Sequence, residues 1–314
     1  MSTVPLEAIS PIEAEVRTIE GRSPLRLAFA RLRRDRVAIV SAAAILVLVV
    51  VALAAPLIAH LVGHDPITQY RDTGLTPAGL PVGPSRHFLF GTDSLGRDVF
   101  IRVVYGTRIS LLVGVLSTLL AVALGVVIGV TAGYFQGATD TILARFMDVV
   151  LSFPFLLFAI ALVSVAGPSI TVSVLVIAFF TWAAVGRIVR GQALSIRERE
   201  YVEAARSLGA SDLRIMVVDV LPNLVAPVIV YTTLLIPTAI VFEATLSFLG
   251  MGVVPPTPTW GNMLSDSLQY YQVAWWFVLF PGLALLITTL AFNLLGDSVR
   301  DALDPGTERQ FAES

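Results

Sequence analysis

The chain has 314 residues, of which 56% are hydrophobic and only 14% are charged, with a net charge of −2 and a mean hydropathy of +0.82. An average soluble domain carries about 25% charged residues, so this chain has too few polar groups to cover a water-exposed surface. The composition therefore excludes a soluble enzyme and a disordered protein, and the slightly negative charge argues against nucleic acid as a partner.

Two chemically important residue types are missing. The sequence contains no Cys, and all 21 basic residues are Arg, so it has no Lys. Without Cys there are no disulfides or thiolate sites, and without Lys the chain cannot form a phosphate-binding G-x-x-x-x-G-K-[ST] loop. We therefore expect that this chain is not an enzyme and binds no cofactor itself, and that any ATP hydrolysis takes place on another chain.

Six stretches are long and apolar enough to be transmembrane helices, since about 20 apolar residues are needed to cross about 30 Å of hydrocarbon. Charged residues and the Gly167-Pro168 break delimit them. The spans are Val37–Ala59, Ile109–Thr131, Val149–Val165, Ile170–Val185, Leu224–Phe242 and one within Val273–Leu295. The predicted fold class is therefore an all-α polytopic membrane protein.

Arginine is unevenly distributed between the two faces that six spans define. With six spans, 16 Arg fall on the face that carries both termini, and five fall on the other face. Because cytoplasmic loops are enriched in Arg and Lys, we expect both termini to be cytoplasmic. The chain then divides into a cytoplasmic N-terminal segment (1–36), a first transmembrane helix (37–59), an extracytoplasmic loop (60–108), a core of five transmembrane helices (109–296) and a cytoplasmic tail (297–314).

Two smaller features follow from the N-terminal part of the chain. Pro24–Arg36 alternates apolar residues with Arg, which indicates either an interfacial helix on anionic lipid headgroups or simply a basic stretch beside the membrane. His60 and His64 are four residues apart, a spacing that could place two imidazoles on one metal. Gly63 and Pro66 indicate that the helix ends there, so we predict no metal site while leaving this pair open.

The second span carries a ridge of small residues at every fourth position. These are Ala121, Gly125, Gly129 and Gly133. Such a ridge lets two helix backbones approach closely. The ridge could contact a second membrane subunit or a neighbouring span of this chain, and the sequence does not decide between them.

The loop 187–222 is longer than the other connections on its face and shows helical patterning of its own. Ser195 and Glu198 have the spacing of a capping box, which predicts a helix that begins at Ile196. Tyr201, Ala204, Ala205 and Leu208 then form one apolar stripe, and Gly209 has the position of a helix-ending residue. A second helix is predicted from Asp212 to about Val220. The stripe indicates either insertion into a partner or packing flat on the chain's own bundle.

Part of this loop resembles a known motif. Glu203-Ala204-Ala205-x3-Gly209, followed by Leu221-Pro222, resembles the EAA loop of ABC-importer permeases. The sequence departs from the general pattern at Asp219, where an apolar residue is usual. The resemblance implies that Tyr201, Glu203, Ala204, Ala205, Leu208, Gly209, Leu221 and Pro222 couple the chain to an ATP-hydrolysing subunit by docking in a cleft of that subunit.

The uncharged stretch Ala244–Ser265 contains six Gly and Pro residues, which a lipid-exposed helix could not accommodate. We predict a turn-rich, partly embedded loop there rather than a seventh span. Glu243 directly precedes it as an isolated acid. One hypothesis places Glu243 at the outer end of a translocation path, with a gate that includes Leu246, Phe248 and Gly250. The alternative is an acid at the headgroup boundary where the span has ended.

Two longer segments narrow the resemblance. Phe90–Val99, continuing to Arg108, and Glu243–Gly250, continuing to Asn262, are similar to segments of dipeptide/oligopeptide permeases, and Pro56–Ala59 suggests the C-type subunit. The resemblance covers about Pro24 to Gly306. It implies a type I ABC-importer permease fold, in the bacterial plasma (inner) membrane, that forms half of a path for di- or oligopeptides.

The same resemblance implies a set of partners. They are a homologous second permease subunit, two P-loop ATPase subunits or domains that hold ATP and Mg, an extracytoplasmic substrate-binding protein, and membrane lipid. Nickel chelates and other small solutes remain alternative cargoes. A stand-alone secondary transporter is the main rival class, although the six spans hold no charged residue of the kind that usually binds a coupling ion.

Overall fold

The computed structural model describes residues 24–303, and every regular element in that range except two isolated β-bridges is a helix. The predicted all-α class is confirmed. Expectations for residues 1–23 and 304–314 lie outside the described residues. The helices are α1 (Pro24–Leu32), α2 (Arg36–Val62), α3 (Arg71–Gly74), α4 (Val99–Phe135), α5 (Gly137–Ser152), α6 (Phe155–Ala166), α7 (Ile170–Arg197), α8 (Glu200–Ser207), α9 (Asp212–Arg214), a π-helical segment (Ile215–Val220), α10 (Leu221–Phe248), α11 (Trp260–Ser267) and α12 (Trp275–Leu303).

Within the described residues, five helical stretches are long and apolar enough to cross a membrane: α2, α4, α7, Asp212–Phe248 and α12. A sixth crossing results when α5 and α6 are counted as one broken span. The described residues therefore contain five or six candidate spans, and the limits of several of them differ from the prediction.

The second and sixth spans are longer than predicted. α4 begins at Val99 rather than Ile109, because the carboxylate of Asp98 caps its first turn and accepts hydrogen bonds from the backbone N–H groups of Phe100 and Ile101 at 2.8 and 3.3 Å. α12 continues to Leu303, so the part of the predicted tail that is described here is helical. The prediction ended both spans where the uncharged run ends, but the helices continue past the hydrocarbon core into charged sequence.

The third predicted span, Val149–Val165, is wrong as a single helix. α5 and α6 are separated at Phe153-Pro154 and meet at an angle of 87°. Pro154 has no backbone N–H, and a residue that precedes proline is driven out of the helical region. Phe153 accordingly has an extended backbone with φ −80° and ψ 133°.

The small-residue ridge of α4 lies against α7 of the same chain. A Cβ added to Gly125 would lie 2.6 Å from the Cβ of Val185, and one added to Gly133 would lie 2.7 Å from the Cβ of Ala193. Ala121 is fully buried in an apolar cluster that also contains Trp182 and Ala183 of α7. The contact moves eight residues along α4, from Gly125 to Gly133, as it moves eight residues along α7, from Val185 to Ala193, so the two helices are parallel. Because these glycines have no side chains, the two backbones approach closely.

The remaining contacts decide which segments share an end of the bundle. α10 is antiparallel to α4, because Ser110 near the start of α4 contacts Glu243 near the end of α10. At the end that carries α8, Arg31 of α1 donates a hydrogen bond of 3.3 Å to the carbonyl of Ala302 at the end of α12. We call this the α8 end. The N-terminal helix, the loop 187–222 and the end of α12 therefore lie at one end, and α11 lies at the other, the α11 end.

At the α11 end, three buried charged residues and the half-buried Asp266 form a network of ion pairs. Asp93 Oδ2 lies 2.5 Å from Arg97 Nε and 3.3 Å from Arg102 Nε, and Asp266 of α11 lies 3.6 Å from Arg97. Burial raises the pKa of Asp266, because its loss of solvation outweighs the attraction of Arg97 and Arg102. The network fastens the long loop to the start of α4 and to the last turn of α11.

The histidine pair does not converge in this structure. His64 is buried with its Nδ1 2.5 Å from Asp98 Oδ2, whereas His60 is exposed. Among the described residues there is no group of three or more His, Cys, Asp or Glu that could hold a metal ion. His64 thus supports the carboxylate that caps α4.

The region Ala244–Ser265 is only partly a loop. α10 continues to Phe248 and α11 begins at Trp260, so the irregular part is confined to 249–259. α11 starts with a capping box between Thr259 and Asn262. Beyond the end of α10, the described chain has no helix in this region that is long enough to be a seventh span.

Candidate functional site

The candidate site is the segment 198–220, which joins α7 to α10 at the α8 end and which we call the α8 arm. It begins later than the capping-box prediction implied. α7 continues through Ser195 to Arg197, so Ser195 lies inside a helix and Glu198 forms the end of α7 instead of reaching back to a cap. α8 starts at Glu200, and its N-cap, Arg199, makes no side-chain capping bond.

The end of α8 follows the prediction more closely. Gly209 has φ +82° directly after the last turn of α8, the left-handed conformation that ends many helices. The second predicted helix, Asp212 to Val220, contains three α-helical residues and then six π-helical ones. It joins α10 without a turn, so Leu221 and Pro222 begin the long helix, and both side chains are exposed.

Burial separates α8 into two faces. Val202 is fully buried in an apolar cluster with Val189 and Ala193 of α7 and Ile215 of the π-helical segment, and Ala205 packs partly against this cluster. Tyr201 is 45% exposed and Leu208 is 89% exposed, and Glu203, Ala204 and Gly209 are also exposed. Most of the predicted stripe therefore faces away from the chain, and Val202, which the stripe did not include, anchors the helix. The spacing of Val202 and Ala205 was the signal that could have identified the anchoring face.

A large cavity opens beside the exposed face of α8. Its volume is about 1180 Å³, and it lies between the α8 arm, α10 and α12. Polar and charged side chains line much of it, among them Glu198, Arg199, Tyr201, Asn223, Tyr231 and Arg300. A cavity of this size could admit a small peptide or a segment of another protein.

The predicted gate residues lie in the last turns of α10 and directly after it. Glu243 is fully buried, and its two carboxylate oxygens accept hydrogen bonds from Ser110 at 2.8 Å and Ser247 at 2.7 Å. Ser247 in turn accepts a bond of 3.2 Å from the backbone N–H of Val253. Glu243 thus connects α10 with α4 and with the irregular segment before α11.

The other gate candidates lie in the same region with different surroundings. Leu246 is fully buried, Phe248 is half-buried, and Gly250 is exposed with φ +74°. Both hypotheses for Glu243, a place on a translocation path and a place at the headgroup boundary, stay predictions. Neither hypothesis included its serine partners. Ser247 is one helical turn after Glu243 and its spacing was a local signal, whereas Ser110 is 133 residues away in the sequence.

Two protein-family models match this chain. Residues 125–309 match the model of the binding-protein-dependent transport system inner membrane component, and residues 23–77 match the N-terminal transmembrane domain of oligopeptide transport permease C. The first match contains the α8 arm and Glu243, and the second contains α2.

Individual relatives are similar over nearly their whole length. The chain is 42% identical over 283 residues to the dipeptide transport system permease protein DppC of Alkalihalophilus pseudofirmus, covering 90% of both chains. It is 44% identical to DppC of Escherichia coli K12, covering 90% of this chain and 93% of that one. It is also 41% identical to the glutathione transport system permease protein GsiD of an Escherichia coli O6 strain, covering 92% and 93%.

Proposed function

Because the chain belongs to the family of binding-protein-dependent transport system inner membrane components, we propose that it forms half of the path by which an ABC importer moves di- or oligopeptides across the plasma membrane. Substrate would be delivered by an extracytoplasmic binding protein, and a homologous permease subunit would form the other half of the path. ATP and Mg would be bound by two separate ATPase subunits or domains. The chain itself would catalyse no covalent chemistry.

One observation carries the proposed coupling to an ATPase: α8 is held by one face and exposes the other. Val202 is buried in the chain, while Tyr201, Ala204 and Leu208 remain accessible. Exposed large apolar side chains beside a small residue are typical of a helix that inserts into a groove of a partner. A helix that packed flat on its own bundle would bury this stripe instead.

The arrangement of the ends supports an orientation with both termini in the cytoplasm. α1, the α8 arm and the end of α12 lie at the same end of the bundle, and that end carries most of the arginines. The positive-inside rule assigns this end to the cytoplasm. An ATPase that docks on α8 would then have access to cytosolic ATP, and the binding protein would approach the α11 end.

The peptide class is supported by the similar relatives. Two of them are dipeptide permease subunits and a third transports glutathione according to its name, so the relatives share small peptides as cargo. The cavity beside α8, about 1180 Å³, is large enough for such a molecule on the cytoplasmic side of the path. We infer that the pore accepts a small zwitterionic peptide that the binding protein has selected.

The test is purification of the full-length chain with its natural partners, followed by uptake of a labelled dipeptide into proteoliposomes. We expect a P-loop ATPase to co-purify and uptake to require ATP. Ala204→Arg, on the exposed face of α8, should abolish ATPase co-purification without unfolding the chain. Gln272→Arg, an exposed site at the α11 end, is the matched control and should leave ATPase binding unchanged.

Two results would contradict the proposal. One is uptake that runs on a proton or sodium gradient with no ATP, which would favour a secondary transporter. The other is an Ala204→Arg variant that keeps both the ATPase and ATP-driven uptake.

A further inference from the structure

Tyr134, in the last turn of α4, makes contacts with three parts of the chain around the α8 arm. Its side chain is only 2% exposed. Its hydroxyl donates a hydrogen bond of 2.7 Å to Asp212 Oδ1 in α9. The guanidinium of Arg206, in α8, lies 5.7 Å from the centre of the ring, and that of Arg197, at the end of α7, lies 5.9 Å from it.

These contacts differ in kind from the other attachments of the arm. Val202 and Ile215 hold the arm by apolar packing, which is non-directional. The bond from the Tyr134 hydroxyl to a carboxylate is charge-assisted and has a preferred geometry, and the two guanidinium contacts add cation–π attraction. Tyr134 therefore restrains the position of α8 and α9 relative to α4 in a way that packing alone does not.

The other side of this link is rigid. Gly133, next to Tyr134, lies so close to α7 that an added Cβ would be 2.7 Å from the carbonyl oxygen of Arg190. Helices packed backbone to backbone move together because close-packed interiors deform little. A displacement of α8 that pulls on Tyr134 would therefore move α4 and α7 as a pair.

From this geometry we propose that Tyr134 is a positioning residue that transmits movement of the α8 arm to the packed helices α4 and α7. The inference rests on the proposed function, in which an ATPase moves α8. The ring and hydroxyl of Tyr134 then transmit force from α8 to α4. When these contacts are weakened, ATP is still hydrolysed but less peptide is transported per ATP.

The experiment uses the assembled importer in lipid nanodiscs and proteoliposomes, with a dipeptide as substrate. Tyr134→Phe removes the hydroxyl and keeps the ring, and Asp212→Asn removes the charge of the acceptor. Asp212 is exposed, so it remains hydrated when its partner is lost, and neither variant should unfold the chain. Tyr271→Phe is the matched control, because Tyr271 is an exposed tyrosine at the α11 end.

Two quantities are measured for each variant. Amide hydrogen exchange across Glu200–Ser207 should become about twofold to tenfold faster in Tyr134→Phe, the range expected for loss of one hydrogen bond. It should become faster by a smaller factor in Asp212→Asn, because the Asn amide oxygen still accepts the bond but carries no charge. Peptides transported per ATP hydrolysed should fall by at least about threefold in the same variants, while ATP hydrolysis continues. The Tyr271→Phe control should match the wild type in both.

The outcomes separate this inference from the function on which it rests. A wild-type complex without ATP-driven peptide uptake would refute the proposed function. A competent wild type whose Tyr134→Phe and Asp212→Asn variants keep the normal transport ratio would refute only the role of Tyr134. A loss of transport and ATP hydrolysis in equal proportion would also overturn that role, because it would indicate a purely structural defect.

Discussion

Gly129 lies in the close contact between α4 and α7, and we predict that Gly129→Ala weakens their packing. An added Cβ would lie 2.6 Å from the carbonyl oxygen of Gly186 and 2.8 Å from the Cβ of Val189. Non-bonded heavy atoms pack best at about 3.5–4.0 Å, so both contacts are too short by about 1 Å. The Gly186 carbonyl belongs to the backbone of α7 and cannot rotate away, so the two helices must separate.

Two opposing effects set the change in the free energy of unfolding of Gly129→Ala. Overpacking of this kind costs about 1–3 kcal/mol, whereas alanine gains about 1 kcal/mol over glycine inside a helix. Gly191→Ala is the matched control, because Gly191 lies in α7 with no atom within 4 Å of an added Cβ. The control has the helical gain without the contact. We therefore expect Gly129→Ala to be less stable than Gly191→Ala by about 1–3 kcal/mol.

The free energies of unfolding can be compared by SDS titration of the purified full-length protein in mixed micelles, followed by the fluorescence of its 4 Trp residues. Equal stability of the two variants would contradict the close approach of α4 and α7 described here. A Gly191→Ala variant that is the less stable of the two would also contradict it.

Three further predictions concern the α11 end and the buried glutamate. Glu243→Ala should lower the free energy of unfolding by several kcal/mol, because the hydroxyls of Ser110 and Ser247 each lose an acceptor, at about 1–3 kcal/mol per hydroxyl. Glu243→Gln should lower it by less in the same SDS titration, and an equal loss in the two variants would argue against these bonds. Because burial raises the pKa of Asp266 from 3.8, the folded protein holds that proton more tightly than the unfolded chain, so the contribution of Asp266 to stability falls as pH rises from 3.8 through the folded pKa. The melting temperature of the wild type should decline across that range relative to Asp266→Asn, and parallel curves would refute the assignment. Asp98→Ala should lower stability by about 1–2 kcal/mol or more through loss of the α4 cap, and Asp98→Asn by less, with thermal unfolding as the measurement.

Part of the α8 arm could be predicted from the sequence because the relevant signals are local. Gly209 ends α8 in the predicted left-handed conformation, since a glycine after an amphipathic run has that role in most sequences. The start of α8 could not be predicted in the same way. Ser195 and Glu198 have the spacing of a capping box, but α7 continues past Ser195 because its apolar face is packed on α4, and tertiary contacts outweigh a single capping bond.

The sequence offered two apolar faces of α8, the longer stripe and the pair Val202 and Ala205, and did not show which of them anchors the arm. The stripe of Tyr201, Ala204, Ala205 and Leu208 is apolar, yet every member except Ala205 is exposed, and Val202 is the fully buried anchor. Periodicity shows that a helix has an apolar face but not whether that face meets its own bundle or another protein. Likewise, the ridge from Ala121 to Gly133 indicated a close helix contact, and only the structure identified α7 as the neighbour.

By itself, the sequence determined that the chain is helical and crosses a membrane about six times, because each crossing requires a continuous run of about 20 uncharged residues and such runs can be counted along the chain. It also determined the family, through motifs that are contiguous in sequence. The tertiary structure alone decided that α5 and α6 bend by 87°, that Glu243 is enclosed by serines and that Tyr134 joins α4 to the α8 arm. These features depend on residues that are distant in sequence and adjacent in space, and adjacency is set by how the helices pack.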